Sequence, residues 1–424
     1  MALGRLFLFR CGNDPIRIAF WARVPILLLG AILIFGIGHW GVAIVGRMPA
    51  LLGAALAAFC PNLLAHALAT EDLACATFTF LATVSFERAM RCDRLWQWAV
   101  TGILTGLALL SKHTALLLLP SYVCIHAGAW WSRLERPPLR RAVLALLVVV
   151  LGAAVSVGLL YGFDYRAWAD SLAAIYQDMR PGSQFYLFGK TDAEPRWYYC
   201  LASLLCKAPA STIVLMLWSV VVACRRPRNA RPLVYLLCPA LVIVTASCFD
   251  RQNLGLRRIL PALPLLLLFS ATVLGGSPGL LRRSCGLILV IASLCEAIVH
   301  GPHDLSFVNW VAGGPARGPY LFDDSNVDWG QDLPALREWQ QQHPEAVPVR
   351  LCYFGSSDPS AYGIAAVPVS LDELRHPEHG YYAVSVTRLV QIRKLLHQGV
   401  PGTDWLSQHV PVGRAGWSIW IYRF

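Results

Sequence analysis

The charged residues that interrupt long apolar stretches are the ones able to do chemistry in this chain. Glu71 and Asp72 stand side by side in LAHALATEDLACATFTFLAT, residues 64–83, which is otherwise almost uncharged. Ionisable residues at membrane depth are rare and are functional candidates by default. A carboxylate placed there suits orienting a hydroxyl or taking its proton. The pair also reads as a helix start, with Thr70 as N-cap and the acids favoured by the dipole of the first turn. Lys112, in LALLSKHTALLLLP, sets a cation at the outer turn of a helical hairpin. It reads either as an interfacial lysine with its stem in lipid or as a contact to a lipid phosphate.

Two further cationic positions resist a bland reading. Lys207 lies inside apolar sequence just before Pro209, after Trp197, Tyr198 and Tyr199, which read as an interfacial aromatic belt. Arg257 and Arg258 in NLGLRRILPALPLLLL lead straight into an apolar run. They approach it from the side that otherwise lacks arginines, so an anionic partner is expected, and a lipid phosphate is the natural one. Cations from three separated hairpin tips, with acids from a fourth, suit transfer of a group from an anionic lipid carrier. The cations would hold the phosphate and stabilise the charge that develops as it leaves, while a carboxylate serves the acceptor. His300 and His303 with Asp304, and His376 with His379, have only loose metal-like spacing and no third ligand set, so neither a metal nor a cofactor is expected. There is no phosphate-binding G-x-x-x-x-G-K-[ST], no G-x-G-x-x-G and no G-x-S-x-G.

The elements that must position these residues are membrane helices. Of 424 residues 56% are apolar and only 14% charged, against ~25% in soluble domains. Ten segments approach the roughly 20 residues a span requires: 24–45, 49–67, 72–89, 95–111, 114–131, 142–162, 206–224, 233–249, 259–274 and 285–299. Pro61, Pro120, Pro209 and Pro264 predict kinked or partly re-entrant helices. Arginines cluster in alternate loops, at 47, 88–94, 133–141, 225–231 and 282–283, which face the cytoplasm by the positive-inside rule. The loops with Glu71–Asp72, Lys112, residues 163–205 and 250–258 then face the other side, as does everything after residue 300. The net charge of +11 is accounted for by these loops, which excludes a nucleic-acid reading. The 13 cysteines are scattered through apolar sequence, form no C-x-x-C pair and read as small hydrophobes.

Two domains follow. Residues 1–299 form an all-α polytopic membrane domain of about ten helices, counted from the apolar runs. Residues 300–424 form a small α/β domain outside the membrane. In it NVDWGQDLPALREWQQQHP reads as a helix, with Trp329, Leu333, Leu336 and Trp339 at helical spacing. VPVRLCYFG, GYYAVSVT and GWSIWIYRF read as strands. Ten spans with an outside tail place residues 1–23 outside too, although these carry Arg5, Arg10, Arg17 and Arg23. An additional upstream helix, lost by truncation or a misplaced start, would repair that.

PNLLAHALATEDLACATFTFLA, GLALLSKHTALLLLP, YLFGKTDAEPRWYYCLASLLCKAPA and NLGLRRILPALPL, in this order and spacing, resemble the bacterial relatives of the protein O-mannosyltransferases and of the aminoarabinose transferase. These are GT-C-fold, family 39-like glycosyltransferases that use polyprenyl-phosphate sugars. LSFVNWVAGGPARGPYLFDDSNVDWGQDLPAL with YFGSSDPSAYGI looks like the extracytoplasmic domain of one subgroup. The resemblance implies an inverting transfer from a polyprenyl phosphate to a protein or glycolipid acceptor, in a bacterial inner membrane. It matches Asp72 to the family's acidic position in the second outer loop, with Glu71 where relatives often have Thr. It matches Lys112, Lys207, Arg257 and Arg258 to basic positions near the carrier phosphate. The family's first outer loop, with an acid that includes the probable catalytic base, has no counterpart here, because Asp14 in GNDP reads as a turn. Two alternatives therefore stand beside the transferase: a catalytically dead relative that keeps the lipid site, and a lipid-carrier transporter or flippase. A transporter should show polar residues through the mid-membrane or matching broken helices in two halves, whereas these acids and bases gather at one face.

Overall fold

A computed structural model describes residues 2–67, 71–177, 185–225, 230–250, 254–276 and 278–424. Every one of the ten apolar segments is helical. Four helices are long and apolar enough to cross a membrane by themselves: Pro15–Val45, His113–Trp131, Leu139–Leu160 and Leu280–His300. Two further helix pairs are long and apolar enough only together and are sharply bent, as a broken span or a re-entrant loop is: Arg47–Ala58 with Pro61–Ala67 at 56° and Tyr199–Lys207 with Ala210–Arg225 at 114°. Leu95–Ser111, Leu233–Cys248 and Leu260–Leu274 are shorter apolar helices. The chain is a multi-pass membrane protein.

Local sequence explains where these helices start and break. Asp14 caps the Pro15–Trp40 helix, its Oδ1 accepting from the backbone N–H groups of Ile16 and Arg17, so GNDP is a helix cap as well as a turn. The two sharp bends fall at Pro61 and Pro209, where a missing N–H interrupts the ladder. Pro120 and Pro264 instead stand in the first turns of Leu118–Trp131 and Leu263–Ser270, where no intrahelical partner is lost. The Leu95–Ser111 helix packs on Leu139–Leu160 through Gly102. A Cβ at 102 would meet the Val149 carbonyl at 2.6 Å, so only glycine lets the backbones approach this closely.

The Asp72–Cys92 helix is buried along most of its length and fixes the layout of the bundle. Its 21 residues rise about 30 Å, the thickness of a hydrocarbon core. Asp72, at its start, meets Lys112 and Arg257. Near its end Glu87 meets Arg91 and Arg231, and Asp93 meets Arg141. The two loop sets separated by the charge pattern thus assemble at opposite ends of one helix.

The C-terminal part is a five-stranded sheet between helices. Its strands follow a separate hairpin, β1 (Phe185–Leu187) with β2 (Lys190–Asp192). The sheet comprises β3 (Val349–Cys352), β4 (Ala366–Pro368), β5 (Tyr381–Ser385), β6 (Gly413–Ala415) and β7 (Ile419–Arg423), in the order β4-β3-β5-β7-β6. β3 runs parallel to β4 and β5, and β7 antiparallel to β5 and β6. Alternation sorts the side chains by face. Tyr382, Val384, Trp420 and Tyr422 pack against Val386, Leu389 and Val390 of the Val386–His397 helix. Ala383, Ile419 and Ile421 pack against Leu333 and Leu336 of Leu333–Gln342. The first of these cores also takes in Tyr186, Leu187, Tyr199 and Ala202 from before residue 300, so packing joins the 163–205 loop to the C-terminal part. The helix expected over 326–344 begins only at Leu333. Gly330 turns the chain at φ 75° and Pro334 occupies the first turn, which leaves Trp329 outside the helix.

Candidate functional site

Asp72 is fully buried at the start of its helix and is ringed by basic groups. Lys112 Nζ donates to Oδ1, Arg257 Nε donates to Oδ2 at 3.1 Å, and His66 Nδ1 lies 3.4 Å from Oδ2. Glu71 precedes it as the N-cap residue without a capping bond of its own, and its half-exposed carboxylate faces the Arg257 guanidinium at 3.4 Å. Thr70, the expected N-cap, lies outside the described residues. Trp329 closes the group from the C-terminal side. Its ring meets His66 edge-on at 5.4 Å between centroids, and the Arg257 guanidinium lies 5.2 Å above it, within cation–π range.

Each member is held from outside the cluster. Lys112 ends the Leu95–Ser111 helix in extended conformation, so its side chain leaves the hairpin turn towards Asp72. Arg257 follows Gly255, which has φ +81° and lies so close to Asn326 that a Cβ would come within 2.7 Å of its Oδ1. Glycine is required there on both counts. Asn326 Oδ1 accepts from the Leu256 N–H at 3.0 Å, and its Nδ2 donates to Tyr199 Oη at 3.0 Å. This one buried side chain therefore ties the Arg257 turn to both the C-terminal part and the Tyr199–Lys207 helix. Asp328 fixes the Trp329 loop: Oδ1 accepts from the Gly330 N–H at 2.8 Å and Oδ2 from the Thr387 N–H at 3.1 Å. Burial pushes the Asp328 carboxyl up to about 7. His303 donates to Asp332 at 3.0 Å, and that carboxylate raises its affinity for a proton.

The six residues singled out in the sequence divide into two groups. Asp72, Glu71, Lys112 and Arg257 come together. Lys207 is buried beside them, but its Nζ donates to the carbonyls of Leu305 at 2.8 Å, Phe307 at 2.9 Å and Asn326. Three acceptors engage all three donors of an ammonium, so Lys207 clamps the chain entering the C-terminal part. Arg258 pairs with Asp250 at 2.8 Å and braces its own loop. Three residues of the site and its frame were not singled out from sequence as functional. Asn62 and His66 are buried polar residues one helical turn apart in an apolar stretch, a spacing that was a readable signal. Asn62 donates to the Lys207 carbonyl at 2.6 Å, so this helix face links the cluster to its frame. Trp329 gave no such signal, because its periodicity matched a helix core. Among the described residues no group of three His, Cys, Asp or Glu side chains is placed to hold a metal.

Residues 18–161 match the family model of the dolichyl-phosphate-mannose-protein mannosyltransferases. That segment, holding Asp72 and Lys112, is similar to this family. No curated protein matches the sequence. Among solved structures, the chain is similar to apo ArnT from Cupriavidus metallidurans, with 12% identity and a TM-score of 0.46 over 94% of this chain and 83% of that one. The same enzyme bound to undecaprenyl phosphate gives 12% identity and a TM-score of 0.42 over 99% and 85%. The apo Archaeoglobus fulgidus oligosaccharyltransferase gives 12% and 0.45 over 81% of this chain, which spans about half the length of that protein, 49%.

Proposed function

We propose that the chain is a GT-C-type membrane glycosyltransferase that moves a sugar from a polyprenyl-phosphate carrier to a hydroxyl acceptor, a protein or a glycolipid, on the outer side of a bacterial inner membrane. One observation carries this reading: a buried carboxylate, Asp72, at the start of a buried apolar helix, holds two cations from separate hairpins beneath an aromatic ring. Lys112 and Arg257 bind the carrier phosphate, and their charge stabilises it as the sugar departs. The acceptor oxygen bonds to the anomeric carbon, and the carbon–oxygen bond to phosphate breaks with its electron pair going to phosphate. The hydroxyl proton passes to a carboxylate. Glu71 suits that last role better than Asp72, because it is half-exposed while Asp72 is enclosed by cations. Asp72 and His66 position the phosphate-binding pair, and Lys207 and Arg258 support the frame.

The test uses the full chain in lipid nanodiscs, titrated with polyprenyl phosphate. Lys112→Ala is expected to weaken carrier binding at least tenfold without loss of insertion, and equal affinities would remove the phosphate role. Supplying the polyprenyl-phosphate sugar with an acceptor then separates transfer from binding alone.

A further inference from the structure

The opposite end of the bundle carries a second constellation that the proposed transfer does not use. A cavity of about 300 Å³ opens there among the ends of the helices Asp72–Cys92, Leu95–Ser111, Leu118–Trp131 and Leu139–Leu160. Trp98, Ala142 and Ala145 give it apolar walls, Arg136 and Arg141 line it with donors, and His126 borders it. Its two acids are already engaged. Asp93 pairs with Arg141 at 3.3 Å, while Glu135 accepts from Tyr235 Oη at 2.7 Å and pairs with Arg231 at 3.2 Å. The donors are not satisfied in the same way. Arg136 is exposed and, among the described residues, makes one hydrogen bond, Nε to the Trp130 carbonyl at 3.3 Å, while lying over the Trp130 ring. A guanidinium has five N–H donors, so this side chain can take an anion without giving up a protein contact.

The surrounding charge selects the ligand. Residues 87–94, 133–141 and 231 hold eight arginines against three carboxylates. The volume fits a compact polar group at the lower end of the usual ligand range, about 300 Å³. Beside the cavity Trp131 and Leu139 are 84% and 80% exposed, a surface along which acyl chains can lie. We infer that this cavity binds the phosphate headgroup of an anionic membrane lipid, with Arg136 and Arg141 as donors and the chains outside along Trp131 and Leu139. The site is independent of the Asp72 cluster and stands whether or not the chain transfers a sugar.

The full chain, purified in phosphatidylcholine nanodiscs, is titrated with dioctanoyl phosphatidylglycerol, and bound lipid is counted by native mass spectrometry. Lys112→Ala, which alters the other end, is expected to keep one bound lipid with wild-type affinity. Arg136→Gln with Arg141→Gln is expected to weaken that binding at least tenfold. Arg136→Gln alone, at an exposed position that tolerates substitution, should weaken it severalfold and covers the case in which the double variant misfolds. Wild-type affinity in a folded Arg136→Gln variant overturns the assignment. So does inorganic phosphate binding as tightly as the lipid, because the cavity would then take a free anion.

Discussion

Asp72→Asn is the substitution that bears most directly on the candidate site. It keeps the shape of the side chain and removes the charge that Lys112 and Arg257 share. Breaking a buried pair by removing one partner costs about 3–5 kcal/mol, because the remaining charge is left uncompensated. Two features of this site bring the figure to the lower end. Lys112 and Arg257 keep 14% and 21% of their side-chain surface, so water screens part of the charge. Arg257 also retains Glu71 and the Trp329 face as partners. A stability loss of about 3 kcal/mol remains, read as a lowered melting temperature, and because Asp72 fixes the two cations that would hold the phosphate, kcat/KM is expected to fall about 100-fold as well. Transfer of a radiolabelled sugar from its polyprenyl phosphate, measured in inverted and right-side-out vesicles, reads the effect and its sidedness together. Glu378→Gln is the control. Its pair with Arg350 is close, 2.6 Å, but Glu378 is 73% exposed, and such surface bridges contribute about 1 kcal/mol or less. Activity within twofold of wild type in an inserted, folded Asp72→Asn protein would refute the assignment of Asp72.

Glu71→Gln should separate two quantities that Asp72→Asn changes together. It removes a negative charge beside the phosphate-binding pair, so carrier affinity is expected to rise severalfold while kcat falls at least tenfold, read by titration and by single-turnover transfer. Lys207→Met strands three buried carbonyls, at about 1–3 kcal/mol for each polar group left unpaired. A clear fall in thermal stability with unchanged carrier affinity is the expected result, and an intact melt with lost binding would return Lys207 to the phosphate site. Asp328 gives a pH dependence. Its folded value of about 7 lies above the ordinary 3.8, so the native state holds the proton more tightly than the unfolded chain does. Stability from this group is therefore greatest at acid pH and is lost as pH rises from about 4 to about 7, by at most about 4 kcal/mol. His303, also raised, acts in the same direction through higher pH. Thermal melts of the full chain at pH 5 and pH 8 should favour pH 5, and Asp328→Asn should remove most of the difference; a flat wild-type profile would contradict the burial argument.

The parts of the fold that depend on local pattern were readable in the residues. Apolar runs marked all ten helical segments, Pro61 and Pro209 marked the two sharp bends, and enrichment in β-branched and aromatic residues marked β3, β5 and β7. Charge alternation marked which loops share an end, because the same arginines that avoid one side must gather on the other. What stayed hidden depends on partners far away in sequence. Arg257 reaches Asp72 across 185 residues and Lys207 reaches Asn326 across 119. No local feature distinguishes an ammonium that meets carbonyls from one that waits for phosphate. Trp329 misled for a related reason: its spacing from Leu333 and Leu336 was helical, and only Gly330 and Pro334 between them signalled that the helix starts later.

The charge balance of the cluster limits how it can bind a carrier. Asp72 and Glu71 together offset Lys112 and Arg257, leaving no net charge when His66 is neutral, so a phosphate is not drawn in by excess charge alone. It must replace a carboxylate at one of the two cations, and Glu71 is paired with Arg257 and, among the described residues, not with Lys112. Such an exchange yields little net Coulomb energy, because one charge-assisted contact is traded for another. Affinity then has to come from the bidentate geometry of Arg257 and from burial of the lipid chain, at about 0.8 kcal/mol per methylene group. Asp72 is fixed at the start of a buried helix and cannot move aside, whereas Glu71 is half-exposed and can. On the proposed function, the carboxylate released by an arriving phosphate is thus Glu71, at the place where an acceptor hydroxyl would approach. Loading the carrier and freeing the proton acceptor would then be one event, which keeps Glu71 paired with Arg257 until there is a sugar to transfer.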